Sequence, residues 1–142
     1  MTHIGDYWTG LWDTIYAVVD GLDIFDEVNQ GLKLDPDQWP AAFVDAGKMS
    51  YNMADTGGTY YEWEIPIFII DVKDNVITGK KSVIDLAEQV QEALVADRWL
   101  GLDWTDALES VVLDSSPRDA PTGFEQQTVK VTVIVRAFLD GL

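Results

Sequence analysis

Apolar residues recur in two rhythms along the chain, and these rhythms place its elements. Between Tyr7 and Leu22, the residues Trp8, Leu11, Trp12, Ile15, Val18, Val19 and Leu22 fall at spacings of three and four, which lays them along one face of a helix. Asp13 and Asp20 lie off that stripe, and Gly21 offers a stop. Two tryptophans on so short a helix predict packing across a sheet, with a partner-binding face as the alternative. From Thr59 to Val72 the rhythm changes to alternation. Tyr61, Trp63, Ile65, Ile67 and Ile69 point one way, and Tyr60, Glu62, Glu64, Pro66, Phe68 and Ile70 the other. The second face is polar before Pro66 and apolar after it, so the strand runs from an exposed half into one covered on both sides. Pro66 has no amide to donate, which predicts an edge position or a bulge there.

The remaining elements are weaker or shorter. Thr78 to Ser82 reads as a turn into a helix over Ser82–Asp97, with Ser82 and Asp85 as a capping box and Val83, Leu86, Ala87, Val90, Ala93 and Leu94 as its buried stripe. Glu125 to Leu139 is the clearest strand, with Val129, Val131, Val133, Val135 and Ala137 alternating against Lys130, Thr132, Ile134, Arg136 and Phe138. Ala41 to Asp45 predicts a short strand, Lys48 to Met53 its continuation or partner, and Leu108 to Asp114 another strand. Asp35–Pro40 is a proline-bearing connector, Asp55–Thr59 a glycine turn, Trp99–Trp104 a turn, and Ser115–Gly123 a loop dense in helix and strand breakers. The expected fold is therefore α+β: one domain over residues 1–142, with a mainly antiparallel sheet of four to five strands and an N-terminal and a central helix packed on one face.

Composition narrows the chemistry. There is no cysteine and only one histidine, His3, which removes disulfides and thiolate metal sites and leaves imidazole little to build with. The N-terminal residues lack a basic region followed by an apolar run, and no apolar stretch approaches the roughly 20 residues of a membrane span, so a soluble protein without a secretory signal is expected. Charge is the strongest signal: 25 acidic residues against 9 basic, a net charge of −16. Such a surface repels nucleic-acid backbones and also itself. At physiological salt the screening length is ~8 Å, and at molar salt it falls to ~3 Å, so the sequence is read as that of a halophile with molar salt around it.

No pattern carries a catalytic signature. Glu62 and Glu64 are paired carboxylates, but residues two apart on a strand face lie roughly 6–7 Å apart by geometry alone. That leaves a small carboxylate-based hydrolase as a minor alternative. Asp71 and Asp74 flank a turn without a third acid at ligand spacing, Gly57-Gly58 opens no helix, and Ser115-Ser116 has no histidine placed to activate it. A second alternative, an acidic mimic of DNA that inhibits DNA-binding proteins, fits loosely because the carboxylates are spread over the whole chain.

The element order resembles the tail terminator and tail-completion proteins of long-tailed phages and archaeal tailed viruses. Four places carry the resemblance: the helix Tyr7–Leu22, the strand Tyr61-Glu-Trp-Glu-Ile-Pro-Ile-Phe-Ile-Ile70, the helix Val83–Leu94 with its Leu-Ala-Glu-Gln-Val run, and the strand Gln127-Thr-Val-Lys-Val-Thr-Val-Ile-Val-Arg136. The connector Asp23–Pro40 is longer than that pattern. The resemblance implies a non-enzymatic virion protein of the neck, assembled in the host cytoplasm as a homo-oligomeric ring, usually a hexamer. Such a ring caps the tail tube protein and joins it to the head–tail connector protein, with DNA passing through its lumen unbound and no membrane involved. It implies no cofactor, metal or catalytic residue. Contacts to neighbouring subunits or rings are expected from Asp55, Gly57, Gly58, Tyr60, Glu62 and Glu64 and from Pro117, Arg118, Asp119 and Phe124, the loops Asp55–Thr59 and Ser115–Phe124 carrying most of them.

The charge reading makes a direct prediction. Thermal melting followed by circular dichroism gives a Tm that rises steadily between low and molar KCl; a Tm that stays flat or falls contradicts adaptation to salt.

Overall fold

Sixteen residues of β4 (Gly58–Lys73) pair in unbroken antiparallel register with sixteen of β6 (Glu125–Asp140), from Gly58 opposite Asp140 to Lys73 opposite Glu125. A computed structural model describes residues 4–31, 36–53, 58–96, 107–118 and 125–140. The other elements, in chain order, are α1 (Ile4–Gly21), β1 (Glu27–Gln30), β2 (Ala41–Val44), β3 (Lys48–Met53), α2 (Val76–Ala96) and β5 (Ala107–Arg118). They form one six-stranded sheet of order β1-β2-β4-β6-β5, with β3 pairing β4 beyond the end of β2. All pairs are antiparallel except β1 with β2. The α+β class, the mainly antiparallel sheet and the two helices are those the sequence predicts. Among the described residues no helix is long and apolar enough to cross a membrane.

Both helices cover the same sheet face. Leu11, Ile15 and Val19 of α1 and Val83, Ala87, Val90 and Leu94 of α2 are fully buried against Trp63, Ile65, Ile67 and Ile69 of β4 and Val129, Val131, Val133 and Val135 of β6. The alternation of β4 and the stripe of α1 thus meet as read from the sequence. The α1 tryptophans pack on the sheet: their rings stack at 5.1 Å, and their indole N–H groups donate to carbonyls at the end of β2 and just past it, Trp12 to Val44 at 3.0 Å and Trp8 to Ala46 at 3.1 Å. Past Gly21 the last turn tightens, with Asp23 N–H donating to Asp20 C=O, and Asp23 takes a left-handed φ of 56°.

Four local expectations are corrected. First, α2 begins at Val76, six residues before the expected cap. Asn75 caps it, its side-chain oxygen accepting the Thr78 N–H at 2.8 Å. Gly79 does not break the helix, because a Cβ there would press on Gln127 Cγ of β6, and the bare glycine lets the first turn close on the sheet. Ser82 turns inward and donates at 2.5 Å to the buried carboxylate of Asp71, which also accepts from Val72 N–H and lies 3.6 Å from Lys73 Nζ. Second, β4 is interior, so Pro66 is not at an edge; the irregularity lies in the neighbouring strand. Third, β5 runs through Ser115, Ser116 and Pro117, where the breaker-dense sequence predicts a loop. Among the described residues β5 is the last strand on its side of the sheet, a position where proline is readily accommodated. Fourth, β1 adds a strand inside the weak stretch Asp23–Pro40. The turn Trp99–Trp104 lies outside the described residues.

The Asp71–Ser82 contact is the polar tie between α2 and the sheet. Ser82→Ala removes the hydroxyl donor to the buried Asp71 Oδ2, leaving that oxygen to Lys73 Nζ at 3.6 Å, and is expected to lower unfolding free energy by about 1.5–3 kcal/mol, read by urea denaturation; a change below about 0.3 kcal/mol contradicts the assignment.

Candidate interaction surface

The sheet face away from the helices holds the polar part of the fold. Strand alternation places Glu62, Glu64, Pro66, Phe68 and Ile70 of β4 there, beside Thr128, Lys130, Thr132, Ile134 and Arg136 of β6. At one end Ala41, Phe43 and Ile70 are buried, with Trp39 and Phe68 packed on them, so the covered half expected after Pro66 is present. At the other end charges pair across strands. Arg136 Nε lies 3.2 Å from Glu62 Oε2, and Lys48 Nζ lies 3.3 Å from Glu64 Oε2. Both pairs are largely solvated and each contributes about 0–1 kcal/mol. The two carboxylates that the sequence singles out are therefore rungs of a cross-strand ion-pair ladder.

Between the two halves lies a jog. β2 pairs with Ile67–Ile70 and β3 with Thr59–Glu64, and Asp45–Gly47 cross between them opposite Ile65 and Pro66. The cause is visible in the backbone. Asp45 N–H donates to Pro66 C=O at 3.0 Å, and because N–H and C=O of one extended residue point to the same side, the amide that Pro66 lacks faces this break. Gly47 has φ 74°, and a Cβ on it would collide with the carbonyl oxygen of Glu64. A cleft of about 300 Å³ opens on the outer side of the jog, lined by Asp45, Gly47, Lys48 and Glu64 on one wall and Pro66, Phe68, Lys130 and Thr132 on the other. On the helix side a second cleft of about 280 Å³ is lined by Gly5, Trp8, Met49 and Trp63 together with Gly47 and Lys48.

Those residues expected to make contacts that are described lie in two places. Glu62 and Glu64 share the outer face, and Tyr60 stands in the same alternate rows, opposite Phe138. Gly58 and Tyr60 begin β4, whereas Pro117 and Arg118 end β5 opposite Gln127 and Gln126, which pair with Asp71 and Val72 at the far end of β4. Fourteen residues of strand separate these ends, roughly 46 Å. Asp55, Gly57, Asp119 and Phe124 lie outside the described residues. Sequence reasoning did not single out Asp45, Gly47, Lys48, Lys130 and Thr132; only the alternation of β6, which pairs Lys130 with Thr132 on one face, offered a signal.

No protein-family model and no curated protein matches the chain. A solved structure does. A chain of the virion of a native gene transfer agent particle superposes with a TM-score of 0.66 at 15% identity, over 91% of this chain and 95% of that one. The two share a fold along nearly their whole lengths.

The jog depends on Gly47. Gly47→Ala is expected to cost about 1–3 kcal/mol by denaturant unfolding, since a left-handed φ and a collision with backbone both oppose the methyl group; a neutral substitution contradicts the strained crossing.

Proposed function

We propose that this protein is a structural virion component that forms a homo-oligomeric ring, six subunits in the expected case, at a head–tail junction, where it ends the tail tube and joins it to the head connector. The observation that carries the reading is the extent of the likeness: one fold covers nearly all of this chain and nearly all of a chain from a virion particle. The order of elements, which resembles tail terminators, supports the finer assignment to the neck. The shape suits it as well, since the two ends of the β4–β6 ladder lie far enough apart to meet different rings above and below. No chemistry is assigned to Glu62 and Glu64, whose carboxylates are already engaged by Arg136 and Lys48. A net charge of −16 lets DNA pass a lumen without adhering.

The test is immunogold electron microscopy of purified particles from the source organism, with light scattering of the pure protein in molar KCl. Label at the neck, and a solution mass about six times the 15.9 kDa subunit, are expected. Absence of the chain from the particles overturns the proposal.

A further inference from the structure

We propose that neighbouring subunits join by backbone pairing, β3 of one copy running antiparallel to β5 of the next, so that the sheet continues from subunit to subunit; this rests on the ring reading above. The two sides of the sheet end differently. On one side β5 is the last strand, twelve residues long, with no strand beyond it among the described residues. On the other side the sheet ends in a step. Next to Ile67–Ile70 come β2 and then β1, but among the described residues only β3 lies next to Thr59–Glu64 on that side. The far edge of β3 is thus set back by one strand spacing, about 4.8 Å, in a notch six residues or roughly 20 Å long. A strand edge with its N–H and C=O groups unpaired is a template for another strand.

Two observations select β3 over β1 as the acceptor. The β1 edge is only four residues long and acidic, and its Glu27 carboxylate already accepts from the Asn29 side chain and from Asp37 N–H. β3 carries Lys48 and no acid, and its Met49 is 42% exposed. β5 contains Glu109 and Asp114, and placed beside β3 these acids avoid the Glu27 carboxylate of β1.

Strand direction agrees. β3 is antiparallel to β4, β4 to β6, and β6 to β5, so β5 runs opposite to β3 within one subunit. Rotation about an axis lying along the strands carries β5 into the neighbour's notch without reversing it, and the two meet antiparallel. Because the joined edges differ, the contact is heterologous and propagates head to tail until the rotation closes.

The chain has no cysteine, so engineered thiols report this contact cleanly. Ser50 stands opposite Glu62 on β3, and Glu109 and Ser116 stand opposite Ile134 and Thr128 along β5, all in the rows of the outer sheet face. The double variants Ser50→Cys with Glu109→Cys, and Ser50→Cys with Ser116→Cys, are oxidised in molar KCl beside the three single variants. At least one double variant is expected to give a non-reducing ladder reaching about six copies, with every single variant remaining one band. A dimer from Glu109→Cys or Ser116→Cys alone reveals two-fold pairing of β5 with itself and overturns the proposal. A six-subunit particle by light scattering with no ladder from either double variant also overturns it while leaving the ring intact. Monomers by scattering, without cross-links, overturn both.

Discussion

The antiparallel ladder between β4 and β6 is the constraint on which the rest of the molecule depends. Side chains alternate strictly along a strand, so a slip of one residue would send Trp63, Ile65, Ile67 and Ile69 to solvent and bring Glu62 and Glu64 under the helices. Burial of the first set and solvation of the second therefore lock the register together. Every other element takes its position from that locked pair: α1 and α2 lie on its apolar face, β2 and β3 share the free side of β4, and β5 takes the free side of β6.

A central strand sixteen residues long that contains a proline needs a way to miss one hydrogen bond. Here the neighbouring strand supplies it by breaking in two. The crossing at Asp45–Gly47 leaves the amide-free side of Pro66 without a ladder partner to disappoint, and Gly47 provides the backbone conformation the crossing requires. The same break opens clefts on both faces of the sheet and sets β3 back from β1. One missing N–H thereby determines the shape of the sheet's edge.

How legible each part was in the sequence follows from how local its cause is. The α1 stripe and the alternation of β4 and β6 were legible because apolar periodicity records burial directly. β1 was not, because four half-buried residues, Glu27 to Gln30, hold too few apolar positions to set a rhythm. The start of α2 was misread because Gly79 and Ser82 resemble a turn and a cap, yet each is determined by a residue on another strand, Gln127 for the first and Asp71 for the second. The candidate site divides in the same way. Glu62 and Glu64 are visible as a pair, but their partners Arg136 and Lys48 arrive through strand register, which no local pattern encodes. That the Gly58 and Arg118 strand ends lie at opposite ends of the ladder is likewise a matter of register.

Charge is distributed unevenly, and this bears on how copies could associate. The described residues 4–31 and 36–47 hold Asp6, Asp13, Asp20, Asp23, Asp26, Glu27, Asp37 and Asp45 and neither lysine nor arginine, while Lys48, Lys130 and Arg136 lie on the outer sheet face. On that face Lys48 and Arg136 are already paired with Glu64 and Glu62, so even in dilute salt they offer another copy's acids little attraction. In molar salt, where the acidity of this chain is best accommodated, a screening length of ~3 Å removes attraction between all but touching charges. Contacts that hold a ring together under those conditions must come from interactions salt does not screen, namely backbone hydrogen bonds and buried apolar surface. The outer edge of β5, beyond which no strand lies among the described residues, and the notch beside β3 offer the first, and the exposed Met49 on β3 offers a share of the second. In the proposed ring, acidity would serve the solubility of the free subunit and the strand edges would set where it binds.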